Sequence, residues 1–178
     1  AEEAELVDAP SKGGGVIRRA GSSTAFGNLI FFSYNIHMMK GIVIVDHGSK
    51  KVESNKMLEE ITHLFQKRFS SKYKIIEPAH MELAEPSIET AYAKCVSKGA
   101  DFIVICPFFL GPGRHWQQDI PSLALEASAK FPGTNYHVAK PLGVDDLILD
   151  LLEKRLSTCT SNSFSCPACE GTTRAGNL

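Results

Sequence analysis

From residue 41 onward, the spacing of apolar positions switches repeatedly between the period of a strand and that of a helix. Ile42, Val43, Ile44 and Val45 form an unbroken aliphatic run that starts after Gly41 and ends in Asp-His-Gly-Ser, as suits a strand covered on both faces in a parallel sheet. Residues 52–69 then set Met57, Leu58, Ile61, Leu64, Phe65 and Phe69 at helical spacing, opposite Glu59, Glu60, Gln66 and Lys67. Residues 74–78 predict a second strand ended by Pro78. Residues 87–98 predict a helix with Ile88, Ala91, Cys95 and Val96 inward and Gly99 just past its end. A third strand over 101–107 has an apolar centre, a helix over 119–131 tolerates Pro121 in its first turn, and residues 135–139 make a fourth strand. Asp145 or Asp146 opens a last amphipathic helix through Leu147, Leu151, Leu152 and Leu156.

This alternation predicts an α/β fold, a single open parallel sheet of about four strands with helices on both faces. Strand order 2-1-3-4 would put the ligand-binding crevice between the first and third strands, where His47 and His115 face each other. The organisation expected is a flexible or atypical N-terminal segment over 1–40, a compact domain over 41–156 and a cysteine-containing flexible tail over 157–178. Residues 1–9 are acidic, unlike an intact organellar transit peptide, and residues 10–15 read as a flexible link. The apolar stretch over 29–34 falls far short of the roughly 20 residues that span a bilayer, so no membrane span is expected.

Charge narrows the partners. Lys plus Arg total 19 against 20 Asp plus Glu, which gives no basic footprint for nucleic acid and favours small molecules. Five cysteines are an odd number, and Cys95 and Cys106 fall in core-like segments, so a reducing compartment is expected.

Chemistry-bearing residues gather after the strands. His47 follows the first strand, with Gly48 free to turn sharply and Ser49 placed to cap the next helix. His80, Glu82 and Glu85 follow the second, although His80 alone reads as a solvated loop residue, and His63 as a surface or boundary position on its helix. After the third strand, Gly111, Pro112 and Gly113 shape a loop that delivers Arg114 and His115, flanked by Phe108, Phe109 and Trp116. For these aromatics a core role competes with packing on a ligand.

Three separated segments, VDHGS, EPAHMELAEPSI and PFFLGPGRHWQQDIP, together resemble the class II chelatases of tetrapyrrole synthesis, and the plant sirohydrochlorin ferrochelatases most nearly. The resemblance spans about residues 41–156 and implies a homodimeric lyase of the plastid stroma that inserts Fe2+ into sirohydrochlorin to form siroheme. Carried over by position, His47 and His115 match the metal-handling histidines, with His47 also a proton acceptor. Glu85 and the run Leu110, Gly111, Pro112, Gly113, Arg114 and His115 match substrate-contacting positions, and Glu82 fits the motif without an assigned role. The residues suit that chemistry. Neutral imidazole binds Fe2+, Co2+ or Ni2+ and takes up protons near neutral pH, and two histidines with water hold a metal loosely enough to release it. Arg114 with Lys50 or Lys51 can pair with the carboxylates of the macrocycle.

The tail holds Cys159, Cys166 and Cys169. Plant relatives carry an iron-sulfur cluster in a comparable tail, but here the pattern runs on to Ala175 where a further cysteine would stand. A [2Fe-2S] cluster would therefore need thiolates pooled across a dimer. Two other functions compete. A non-catalytic metal or tetrapyrrole carrier would keep the same histidines, whereas a histidine phosphatase would need an arginine before His47, where this chain has Asp46.

Overall fold

The aliphatic run becomes the central strand β1, Lys40–Asp46, in which Gly41 to Val45 are all buried. On one side β1 pairs in parallel with β2, Ile75–His80; on the other it pairs with β3, Phe102–Pro107, which carries β4, Asn135–Val138. The sheet order is β2-β1-β3-β4, as expected, with a crossover from β2 past β1 to β3. This computed structural model describes residues 38–161 and 172–174; the stretch over 29–34, Cys166 and Cys169 lie outside the described residues.

Strand alternation builds two cores. Val43, Val45, Ile103 and Ile105 point to one face, where α2, Ile88–Ser97, and α3, Ile120–Ala129, cover them with Ala91, Tyr92, Cys95, Ala124 and Ala127. Ile42, Ile44 and Ile76 point to the other face, against Leu58 of α1, Val52–Arg68. Ser87 starts α2 by accepting the Thr90 N–H at 3.2 Å, a cap that satisfies one of the helix's free donors.

Three expectations need correction. Pro78 does not end β2, which continues to His80 with Pro78 paired to Ile44; among the described residues β2 is an edge strand, so a residue lacking an N–H costs it no second partner. On α1, Met57 and Leu64 are more than half exposed while Thr62 is buried, because among the described residues α1 alone packs on this face and meets the sheet along a narrow stripe. The last helix, α4, Asp146–Ser161, runs past Leu156 and contains no buried residue: Leu147, Leu151, Leu152 and Leu156 all remain exposed.

Gly41 lies where the sheet leaves no room for a side chain. A Cβ there would lie 2.8 Å from Cys95 Cβ and 2.9 Å from Cys95 Sγ. Neither neighbour is the free end of a long side chain, so Gly41→Ala should overpack the centre of the fold and cost about 1–3 kcal/mol. A lower denaturant midpoint at unchanged slope is the expected result.

Candidate active site

The carboxyl end of β1 is tied to the end of β2 by one carboxylate. Asp46 Oδ1 accepts the Gly48 N–H at 2.9 Å and the His80 Nδ1–H at 2.6 Å. The backbone extends the connection, since Met81 N–H donates to the Asp46 carbonyl and Glu82 N–H to the His47 carbonyl, at 2.8 and 3.1 Å. Gly48 has φ +82°, and a Cβ there would sit 2.0 Å from the Glu82 carbonyl oxygen, so this turn admits only glycine. The Glu82 loop itself is strained: Leu83 adopts φ 66° while Ala84 N–H reaches back to the Glu82 carbonyl at 2.9 Å. The outcome is a fixed pair, with His47 Nε2 at 2.9 Å from Glu82 Oε1. His47 Nδ1 lies 3.2 Å from the Gly48 carbonyl, so the ring has an acceptor oxygen at each nitrogen.

The opposite wall comes from the chain after β3. Phe108 N–H donates to the Val45 carbonyl at 2.7 Å, holding this segment beside the end of β1. Gly113 takes the Gln117 N–H at 3.1 Å, and His115–Asp119 form a π-helical turn closed by Ile120 N–H to the His115 carbonyl before α3 begins. Such wide turns recur at functional sites. Here it sets His115 Nδ1 at 2.8 Å from Asp119 Oδ2 and Arg114 Nε at 3.5 Å from Asp119 Oδ1. The His115 and His47 rings meet edge to face with centroids 5.1 Å apart.

Two depressions flank this segment. A cleft of about 450 Å³ with mixed lining is bounded by charged Glu82, Arg114, His115 and Asp119 and by apolar Met81 and Leu123, among others. A groove of about 480 Å³, almost wholly apolar, lies between Leu110 to Pro112 and Val144, Ile148 and Leu149 at the start of α4.

Residues 41–159 match the CbiX family. The chain belongs to the CbiX family. It is 49% identical over 138 residues to the chloroplastic sirohydrochlorin ferrochelatase of Arabidopsis thaliana, covering 75% of this chain and 60% of that protein. It is 32% identical to the sirohydrochlorin cobaltochelatase of Sulfolobus acidocaldarius, covering 69% of this chain and 94% of that one. Among solved structures, SirB from Bacillus subtilis with Fe3+ superposes with a TM-score of 0.63 at 26% identity, over 68% of this chain and 47% of that one. The chain thus spans less than two thirds of the Arabidopsis protein, and the resemblance drawn from its three motifs is borne out at the level of family and fold.

Within this CbiX domain the residues singled out from sequence separate into three places. His47, Glu82, Arg114 and His115 converge on the crevice between β1 and β3. Leu110, Gly111 and Pro112 line the apolar groove instead, and Gly113 turns the chain between the two. Glu85 stands at the start of α2, where its Oε2 accepts the Ser87 N–H at 2.7 Å and the Thr90 hydroxyl at 3.1 Å. His63 is exposed, as expected. His80 is not a solvated loop residue: it is fully buried on Asp46, because β2 runs two residues beyond Pro78 and carries it into the interior. Phe108 and Phe109 pack against the two cores, and Trp116 Nε1 donates to the Ala139 carbonyl at 2.8 Å.

Asp46 and Asp119 were not singled out from sequence. The available signal for Asp119 was its place four residues after His115, one helical turn away. No group of three or more metal-ligating side chains is assembled among the described residues. Because a side chain at position 48 must displace Glu82, Gly48→Ala should cost more than about 1 kcal/mol in backbone strain alone. It should also separate Glu82 from His47, read as a lower melting temperature together with a shifted His47 ring resonance in the variant that still folds.

Proposed function

We propose that this chain is a sirohydrochlorin ferrochelatase, a lyase that inserts Fe2+ into sirohydrochlorin within the plastid. The observation that carries the reading is the pair of imidazoles facing each other 5.1 Å apart at the crevice of a CbiX domain, each backed by a carboxylate. The two rings are placed differently. Asp119 accepts from His115 Nδ1, and no hydrogen bond engages Nε2 among the described residues, so that nitrogen is available to a metal. His47 lies between Glu82 and the Gly48 carbonyl, so a ring that has gained a proton finds an acceptor on each side.

Insertion exchanges one divalent ion for two pyrrole protons. In the proposed reaction, Fe2+ is a substrate held loosely by His115 Nε2 and by His47 once its Nε2 parts from Glu82, and His47 takes the protons in turn. Glu82, about half exposed, passes them to solvent. Arg114, with Lys50 or Lys51, pairs with macrocycle carboxylates, while Leu110 to Gly113 offer an apolar edge to the ring. Glu85 reaches substrate only by giving up its bonds to Ser87 and Thr90. All these residues lie within 41–156, which we take as the catalytic domain, with 1–40 and 157–178 as appendages. Anaerobic incubation with Fe2+ and sirohydrochlorin, followed by ring absorbance, tests the reading. His47→Ala should lower turnover about a hundredfold or more, within the usual span of general-base catalysis, while macrocycle affinity changes little. Binding of both substrates without turnover in the unaltered protein would make it a carrier.

The proposed assembly is a homodimer through α4, supported by its exposed Leu147, Leu151 and Leu156. A [2Fe-2S] cluster does not fit one chain. Burial pushes the Cys95 thiol up to about 12 and that of Cys106 in the same direction, disfavouring the thiolates that iron needs. Cys159, Cys166 and Cys169 then supply three ligands where four are required. A labile cluster shared by two tails remains the proposal. Light scattering should give a two-chain mass that Leu147→Glu with Leu151→Glu reduces to one chain. Iron-sulfide reconstitution should load one cluster per dimer; a stable cluster on each monomer would overturn the shared site.

A further inference from the structure

Asp119 is the last residue of the π-helical turn, immediately before α3, and its side chain makes no capping bond to that helix. Its oxygens are directed elsewhere: Oδ2 to His115 Nδ1 at 2.8 Å, and Oδ1 toward Arg114 Nε at 3.5 Å. The carboxylate is largely shielded, at 28% exposure, whereas Arg114 is 78% exposed. In an α-helix, residues five apart point well away from one another. The π-helical closure from Ile120 N–H to the His115 carbonyl narrows that angle, which lets one side chain serve both position 114 and position 115.

An ionised carboxylate only accepts hydrogen bonds. The proton on a neutral His115 ring must therefore sit on Nδ1, leaving the lone pair on Nε2, while the same group keeps the Arg114 guanidinium beside the ring. We infer that Asp119 is a positioning residue that fixes the His115 tautomer for metal and aligns Arg114 for a carboxylate of the macrocycle, so that one side chain registers the two substrates against each other. The inference rests on the chelatase reading for its purpose, but not for its geometry. His115 and Arg114 lie on different oxygens of Asp119, so an asparagine in the same position keeps its oxygen for one of them and turns an amide donor toward the other.

The geometry is tested without turnover. In a two-bond 1H–15N spectrum of the metal-free protein in mildly alkaline buffer, the resonance missing from His115→Ala should report the Nδ1–H tautomer. In Asp119→Asn it should report a mixture. A wild-type His115 in the Nε2–H form overturns the inference. The consequence is tested by Co2+ quenching of Trp116, the single tryptophan and the neighbour of His115. Asp119→Asn, which conserves volume, should weaken apparent Co2+ affinity by roughly 10- to 100-fold, the usual effect of losing an outer-shell carboxylate. In the insertion assay, Asp119→Asn should raise KM for both metal and macrocycle, whereas Arg114→Ala should raise it for the macrocycle alone. Unchanged Co2+ affinity and unchanged KM values in a folded Asp119→Asn protein would reduce Asp119 to a structural residue. Absence of any Co2+ response in the wild type, with the Nδ1–H tautomer present, would instead overturn the metal-handling reading.

Discussion

The site depends on the buried contact between Asp46 and His80. Their 2.6 Å separation joins a side chain at the end of β1 to one at the end of β2, and His80 has no exposure to solvent at all. Removing Asp46 is costly because His80, wholly shielded from water, would be left with its desolvation penalty and no partner at Nδ1. The same Asp46 oxygen takes the Gly48 N–H, so the pair also fixes the turn that presents His47. The wall bearing Glu82 follows from this, since its backbone bonds to β1 begin at the residue after His80. His80 Nε2 is buried as well and has no hydrogen-bond partner among the described residues, so the Asp46 contact is what orients this ring.

The sheet was legible because strands buried on both faces need consecutive aliphatics, and residues 42–45 and 103–105 have them. Helix starts were legible where a side chain caps, as at Ser87. What escaped were features set by neighbours distant in sequence. Pro78 stays within a strand because β2 has no second neighbour among the described residues, a fact of sheet order and not of local composition. His80 looked solvated because nothing near it in sequence announces Asp46, which lies 34 residues earlier. Asp119 resembled an ordinary helix-opening acid, and only the wider turn redirects it. Periodicity overstated burial on α1 and α4, since it reports which face is apolar and not whether anything covers it.

His47 and His115 reach the crevice from different chain segments with different support. The His47 turn is locked by a glycine that tolerates no side chain and by a carboxylate inside the sheet. The His115 turn is held by its own local geometry, with Asp119 as its nearest partner. A partly charged cleft and an apolar groove lie on either side of the segment carrying His115, so one loop presents both a charged and a greasy surface. A flat molecule with an acidic rim and an apolar face would match that division.

The sheet order also governs when the site can exist during synthesis. β1 is made first but needs both β2 and β3 as neighbours, so its buried face stays open until the chain has emerged through Pro107. The Asp46–His80 junction and the Glu82 wall can close once residues through α2 are available, before His115 has left the ribosome. The two imidazoles therefore rest on stretches of chain completed at different points of synthesis, and the crevice between them exists only once β3 has paired with β1.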